Sequence, residues 1–119
     1  MSQVIYGLDI GKSTFHLIGR DRHGQEVIRK KFSRTKLLEF FTNHSTTAIA
    51  LEACSGAHWL GRQLQSRGHQ IKLLPPQYVK PYVKTNKNDY IDAAAIVEAS
   101  TRPDMRFVNV KTEHQQLLN

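Results

Sequence analysis

The sequence predicts an α/β domain, a mixed five-stranded sheet flanked by helices in the order βββαβαβα. Three observations carry this. Strand-like runs rich in β-branched and aromatic residues open the chain with only short turns between them. Helical rhythms then alternate with further strand-like runs. Finally, 119 residues with 39% hydrophobic content suffice for one core and fall short of two ordinary ones.

Val4 to Leu8, Thr14 to Gly19 and Glu26 to Phe32 read as the first three strands. Gly11-Lys12-Ser13 and Asp21-Arg22-His23-Gly24 are turn sequences that separate them, so an antiparallel meander is expected. Thr35 to His44 spaces Leu37, Leu38, Phe40 and Phe41 as a helix does, with Thr35 placed to act as N-cap. Thr47 to Leu51 is the fourth strand, Ala57 to Ser66 a second helix closed by Gly68, and Gln70 to Leu74 a fifth strand stopped by Pro75-Pro76. Strands separated by helices should run parallel, which makes the sheet mixed. Gln77 to Lys84 is short and basic. Asp89 to Ser100 reads as an Ala-rich helix with Asn88 as N-cap. Thr112-Glu113-His114-Gln115 has the form of a capping box, so we expect a domain over residues 1–111 and the start of a helix over 112–119 that continues into further C-terminal regions.

Seventeen Lys and Arg against ten Asp and Glu give a formal charge of +7 and favour a polyanionic partner, with nucleic acid foremost. No apolar run approaches the roughly 18 residues of a membrane span. The single cysteine, Cys54, cannot close an internal disulfide, and no secretory leader pattern opens the chain, so a soluble, cytoplasmic protein is expected.

Two carboxylates stand where charge is costly. Asp9 follows the apolar run Val4 to Leu8, and Glu52 follows Ala48-Ile49-Ala50-Leu51. Half-buried carboxylates cost several kcal/mol unless they are paired or hold a cation. Asp89 and Asp92, three residues apart at a helix start, would share one face. Four hard oxygen donors without a His or Cys companion suit Mg²⁺ or Mn²⁺. Two such ions about 4 Å apart can activate a nucleophile and stabilise the leaving oxygen of a phosphodiester. Were these four to hold metal, seventeen basic groups would face six acidic ones elsewhere. The blander reading makes Asp89 and Asp92 helix-dipole partners and Asp9 and Glu52 turn residues.

The blocks Tyr6-Gly7-Leu8-Asp9-Ile10-Gly11-Lys12, Leu51-Glu52-Ala53-Cys54-Ser55-Gly56 and Lys84-Thr85-Asn86-Lys87-Asn88-Asp89-Tyr90-Ile91-Asp92-Ala93 closely resemble the DEDD transposase family, which includes the Piv/MooV invertases and the bridge-RNA-guided insertion-sequence recombinases. The resemblance implies an RNase H-like, RuvC-like fold in which Asp9, Glu52, Asp89 and Asp92 bind Mg²⁺ for DNA strand cleavage and exchange in transposition or site-specific inversion. It also implies DNA as partner, a guide RNA in some members, and a homo-oligomer in the full-length protein. Members are typically longer, with a coiled-coil segment and a second domain carrying a proposed serine nucleophile, so the chain by itself is expected to fall short of the full reaction.

Tyr78, Lys80, Tyr82, Lys84 and Lys87 interleave aromatics with cations just before the second acidic pair, and would suit base stacking and phosphate contact. They equally suit a short helix anchored by its tyrosines. Lys12, close behind Asp9, is placed to touch a scissile phosphate or simply to close a turn. Arg29, Lys30, Lys31 and Arg34 form a second basic cluster, which strand alternation would divide between two faces.

Other patterns lead less far. Gly7 to Ser13 has three residues between its glycines where a P-loop requires four. Asp9-Ile10-Gly11-Lys12-Ser13-Thr14 resembles the first phosphate loop of actin-like ATPases and sugar kinases, which need two lobes where this chain supplies one. Cys54 and His58 fall short of four zinc ligands. Ser55 has no evident base partner. A nonenzymatic nucleic-acid-binding module with structural acids is the remaining alternative.

Overall fold

In a computed structural model describing residues 3–85 and 88–118, five strands form one sheet. They are β1 (Ile5–Ile10), β2 (Phe15–Arg20), β3 (Glu26–Phe32), β4 (Ala48–Glu52) and β5 (Gln70–Leu74), in the spatial order β3-β2-β1-β4-β5. β1, β2 and β3 pair antiparallel, while β1, β4 and β5 pair parallel, as the alternation of strands and helices requires.

Helix α1 (Arg34–Thr42) and helix α2 (Ser55–Ser66) cover one face. Tyr6 and Leu8 of β1, Ile49 and Leu51 of β4 and Leu73 of β5 point into that layer, where they meet Leu37, Phe41, Ala57, Leu60 and Leu64. The period of two along each strand and of 3.6 along each helix produces this packing. α1 begins one residue before the expected Thr35. Its N-cap is Ser33, whose side chain accepts from the Lys36 amide at 3.3 Å. α2 ends at a left-handed Gly68 (φ +93°), with the His69 and Gly68 amides returning to the Leu64 and Gln65 carbonyls.

The opposite face is covered mainly by helix α4 (Ile91–Ser100), reached from β5 through α3 (Pro76–Val79) and a 3-10 turn at Lys80–Tyr82. Ala93 and Val97 lie on Ile18, and Ala95, Ile96 and Ala99 lie on Ala50 and Leu74. Small alanines let this helix sit close to the sheet. Gly7 brings it closer still, since a Cβ there would stand 2.4 Å from the Ala93 carbonyl oxygen and 2.8 Å from Val97.

The chain then turns back along the sheet margin. Val108 bridges Leu73 of β5, and a short helix α5 (Glu113–Leu118) follows. The capping box forms as its residues predict. Thr112 N donates to Gln115 Oε1 at 2.9 Å, and Gln115 N donates to Thr112 Oγ1 at 3.1 Å. Arg62 of α2 holds this segment through the Lys111 carbonyl and Gln116 Oε1, while His58 Nδ1 accepts from the Lys111 amide at 2.9 Å. Among the described residues, no helix is long and apolar enough to cross a membrane.

Candidate active site

Alternation along β1 sends Tyr6, Leu8 and Ile10 toward α1 and α2. It therefore sends Asp9 to the face that α4 covers. Along β4 the same rule turns Ala50 and Glu52 to that face. Leu8 pairs with Leu51 in the parallel ladder, so Asp9 and Glu52 occupy the next level on adjacent strands. Asp92 enters from above, in the first turn of α4. Three separated elements thus bring Asp9, Glu52 and Asp92 to one end of the sheet.

The electrostatics record this convergence. Burial pushes the Asp9 carboxyl above its ordinary range, Asp92 pushes it further, and His16 partly opposes them. Glu52 is likewise raised, by burial first and then by Asp92 and Asp9. These are the signs expected of like charges gathered with few counter-ions. Among the described residues, however, no three His, Cys, Asp or Glu side chains stand as a ready-made cage for an ion.

Asp89 occupies a different position from the helical one expected of it. It lies exposed in the turn before α4, because the Asn88 side chain captures the Tyr90 amide at 2.8 Å and delays the helix to Ile91. Asp89 and Asp92 therefore do not lie on a common helix face.

Reading the sequence alone missed one neighbour of the acids. His16 is the direct cross-strand partner of Asp9. Its ring meets Tyr90 edge-on with centroids 5.0 Å apart, and the Arg29 guanidinium lies 4.8 Å from the centroid of the same tyrosine ring. The register pairs Lys31 with His16 and Arg29 with Ile18, so Arg29 and Lys31 flank the acidic face. Lys30 points away, over Phe40, as alternation predicts. The short turn between the first two strands brings His16 near Asp9, but the ladder register is what makes them partners.

The remaining basic candidates are dispersed. Lys12 is exposed on the turn after β1, and Lys80 and Lys84 are exposed beyond β5. Tyr78 and Tyr82 line a cleft of about 320 Å³ with Arg102 and Arg106, and the Arg102 guanidinium lies 5.6 Å from the Tyr82 ring. Lys87 lies outside the described residues.

Comparison with known proteins agrees with this architecture. The IS110-type DEDD transposase model matches residues 6–119. The transposase for insertion sequence element IS1328 of Yersinia enterocolitica is 46% identical over 97% of the chain and 34% of its own length. The putative transposase y4pF/y4sB of Sinorhizobium fredii is 51% identical over 92% of the chain and 28% of its own length. The chain thus spans about a third of the length of these curated relatives. T. thermophilus RuvC, solved in complex with a Holliday junction substrate, superposes with a TM-score of 0.55 at 13% identity, covering 82% of this chain and 91% of that one. The fold is RuvC-like, and hence RNase H-like.

Proposed function

We propose that this chain, which belongs to the IS110-type DEDD transposase family, acts as the metal-dependent DNA-cleaving domain of a transposase. The observation that carries the reading is the meeting of Asp9, Glu52 and Asp92 at one sheet end, two of them already biased toward holding a proton. Such a set has an electrostatic deficit that a cation would relieve.

The donor chemistry fits Mg²⁺ or Mn²⁺, since the three convergent acids offer hard carboxylate oxygens. Asp9, Glu52 and Asp92 would hold the metal, with Asp89 joining from its turn. A bound divalent ion supplies Lewis-acid activation of a water or hydroxyl and neutralises charge at a scissile phosphodiester. The protein's own contribution is positional. Asp9 sits on a central strand whose backbone is fixed on both sides by ladders to β2 and β4. Arg29 and Lys31 border the acids and would draw a phosphate backbone across them, with Lys12 on the turn after β1 and Tyr78, Lys80, Tyr82 and Lys84 beyond β5 as further contacts. The formal charge of +7, which already counts the acids of the centre, supports DNA as the partner.

Calorimetric titration with Mn²⁺ tests the reading. The wild-type chain should bind, Asp9→Asn should lose most of the heat, and Lys30→Gln, on the opposite face, should bind as the wild type does. Absence of binding in the presence of a short DNA duplex as well would overturn it.

A further inference from the structure

The face of the sheet opposite the acids carries a feature that this function leaves unused. α2 buries Ala57, Leu60 and Leu64, yet leaves Trp59 38% exposed. The Arg34 guanidinium, at the start of α1, lies 5.0 Å from the indole centroid. Among the described residues Arg34 has no carboxylate partner. Ile10, Phe15, Arg34, Gly56, Trp59 and Leu60 enclose a cleft of about 230 Å³, and nothing stands within 4 Å of where a Gly56 Cβ would be.

The position of this cleft gives it meaning. Ile10 directly follows Asp9, and Gly56 is four residues beyond Glu52. The cleft therefore opens at the same strand ends as the acids and is separated from them by the thickness of the sheet. A DNA strand that crosses these strand ends after passing the acids would come to the rim of the cleft. The walls of the cleft are largely apolar, one of them is the indole, and the Arg34 guanidinium over that ring has no acidic partner among the described residues. A flat heterocycle joined to a negative phosphate matches that combination.

We propose that Trp59 and Arg34 form a stacking site for an unpaired nucleobase of the DNA strand. This rests on the DNA-cleaving reading, and supplies it with a way to hold a locally unstacked strand beside the acids. The stack is sequence-tolerant, because every base presents a π-face.

Trp59 is the single tryptophan of the sequence, so its emission reports on the site directly. The test follows that emission, together with the anisotropy of a labelled strand, as short oligo(dT) is added in parallel with linear polyphosphate, which has phosphates but no bases. Oligo(dT) should quench the indole while polyphosphate leaves it bright. Trp59→Leu should weaken oligo(dT) on the order of tenfold, and Trp59→Tyr should restore most of the affinity. Both variants should unfold at the wild-type temperature, because the ring lies outside the core, and blunt duplex should bind all three proteins nearly equally.

Oligo(dT) bound equally by wild type and Trp59→Leu without quenching would overturn the proposal and leave the cleavage reading intact. Equal quenching by polyphosphate, or an emission change on concentrating the protein without DNA, would overturn it in favour of a phosphate site or a contact between copies. Loss of both oligo(dT) binding and Mn²⁺ binding would mean that the cleavage reading itself had failed, and this inference with it.

Discussion

Gly7 and Ala93 are in backbone contact across the sheet–helix interface, with the Ala93 carbonyl oxygen 2.4 Å from the position a Gly7 Cβ would take. The absent side chain sets the height of α4 over β1, and Asp92 is carried by the first turn of that helix. The approach of Asp92 to Asp9 thus depends on a residue that contributes no chemistry. Gly7→Ala should cost about 2–3 kcal/mol through overpacking. It should also weaken Mn²⁺ binding although every carboxylate remains. Thermal unfolding and Mn²⁺ titration of the same sample would check both effects.

Asp9→Asn should stabilise the metal-free protein at neutral pH, and Glu52→Gln should do so less, because solvent screens the more exposed carboxyl. Each gain stays below about 1 kcal/mol, a few degrees at most in a domain of this size. The sign follows from the raised carboxyls. A carboxyl raised in the folded state penalises folding in full above that raised value. The penalty fades as pH falls toward the ordinary carboxylate range near 4. The Tm advantage of Asp9→Asn should therefore shrink on acidification, and in wild type millimolar Mn²⁺ should stabilise at neutral pH.

His58 titrates in the opposite sense. Burial, with Lys111 and Arg62 adding to it, lowers its pKa, and its Nδ1 accepts the Lys111 amide only while unprotonated. Its contribution is present above the ordinary histidine value of about 6.5 and is lost as pH falls from there through the lowered folded value. Below that window the Lys111 amide and α5 should exchange hydrogen faster, once intrinsic exchange rates are allowed for. His58→Phe should show fast exchange at every pH.

Glu98 receives Arg20 at 2.6 Å and also Arg102, so its carboxyl is lowered, chiefly by the Arg20 hydrogen bond. The pair clamps the C-terminal end of α4 to β2. Glu98→Gln should cost about 1–2 kcal/mol at neutral pH, because partly exposed ion pairs contribute modestly. The difference from wild type should disappear at pH values below the lowered carboxyl, as chemical denaturation across pH would reveal.

Much of this fold was legible because periodicity and punctuation agree. β3 and β5 have the bounds that their alternation and flanking turns predict, and Gly68 closes α2 as its position implies. The differences arise where side chains compete for backbone. Ser33 rather than Thr35 caps α1, and Asn88 seizes the Tyr90 amide so that α4 starts past Asp89. Asp9 and Glu52 are the penultimate and last residues of their strands rather than residues just beyond them. At the site, Asp9 and Glu52 were readable as charges ending apolar runs. His16 as the partner of Asp9 required the register, and Gly7 required the crossing of α4 over β1, which no local pattern encodes. A glycine inside a strand was the available signal of close backbone approach.

The two margins of the sheet are protected in different ways. Beside β5 the returning chain lays Val108 against Leu73. Among the described residues β3 has no strand outside it, and it presents Glu26, Arg29, Lys30 and Lys31 along its length. Repulsion between like-charged edges is what keeps such a border from recruiting the same strand of another molecule. Arg29 and Lys31 therefore serve colloidal behaviour as well as any ligand. Replacing both with threonine would leave a β-branched border bounded by Val27 and Phe32, and its first symptom would be precipitation in concentrated samples.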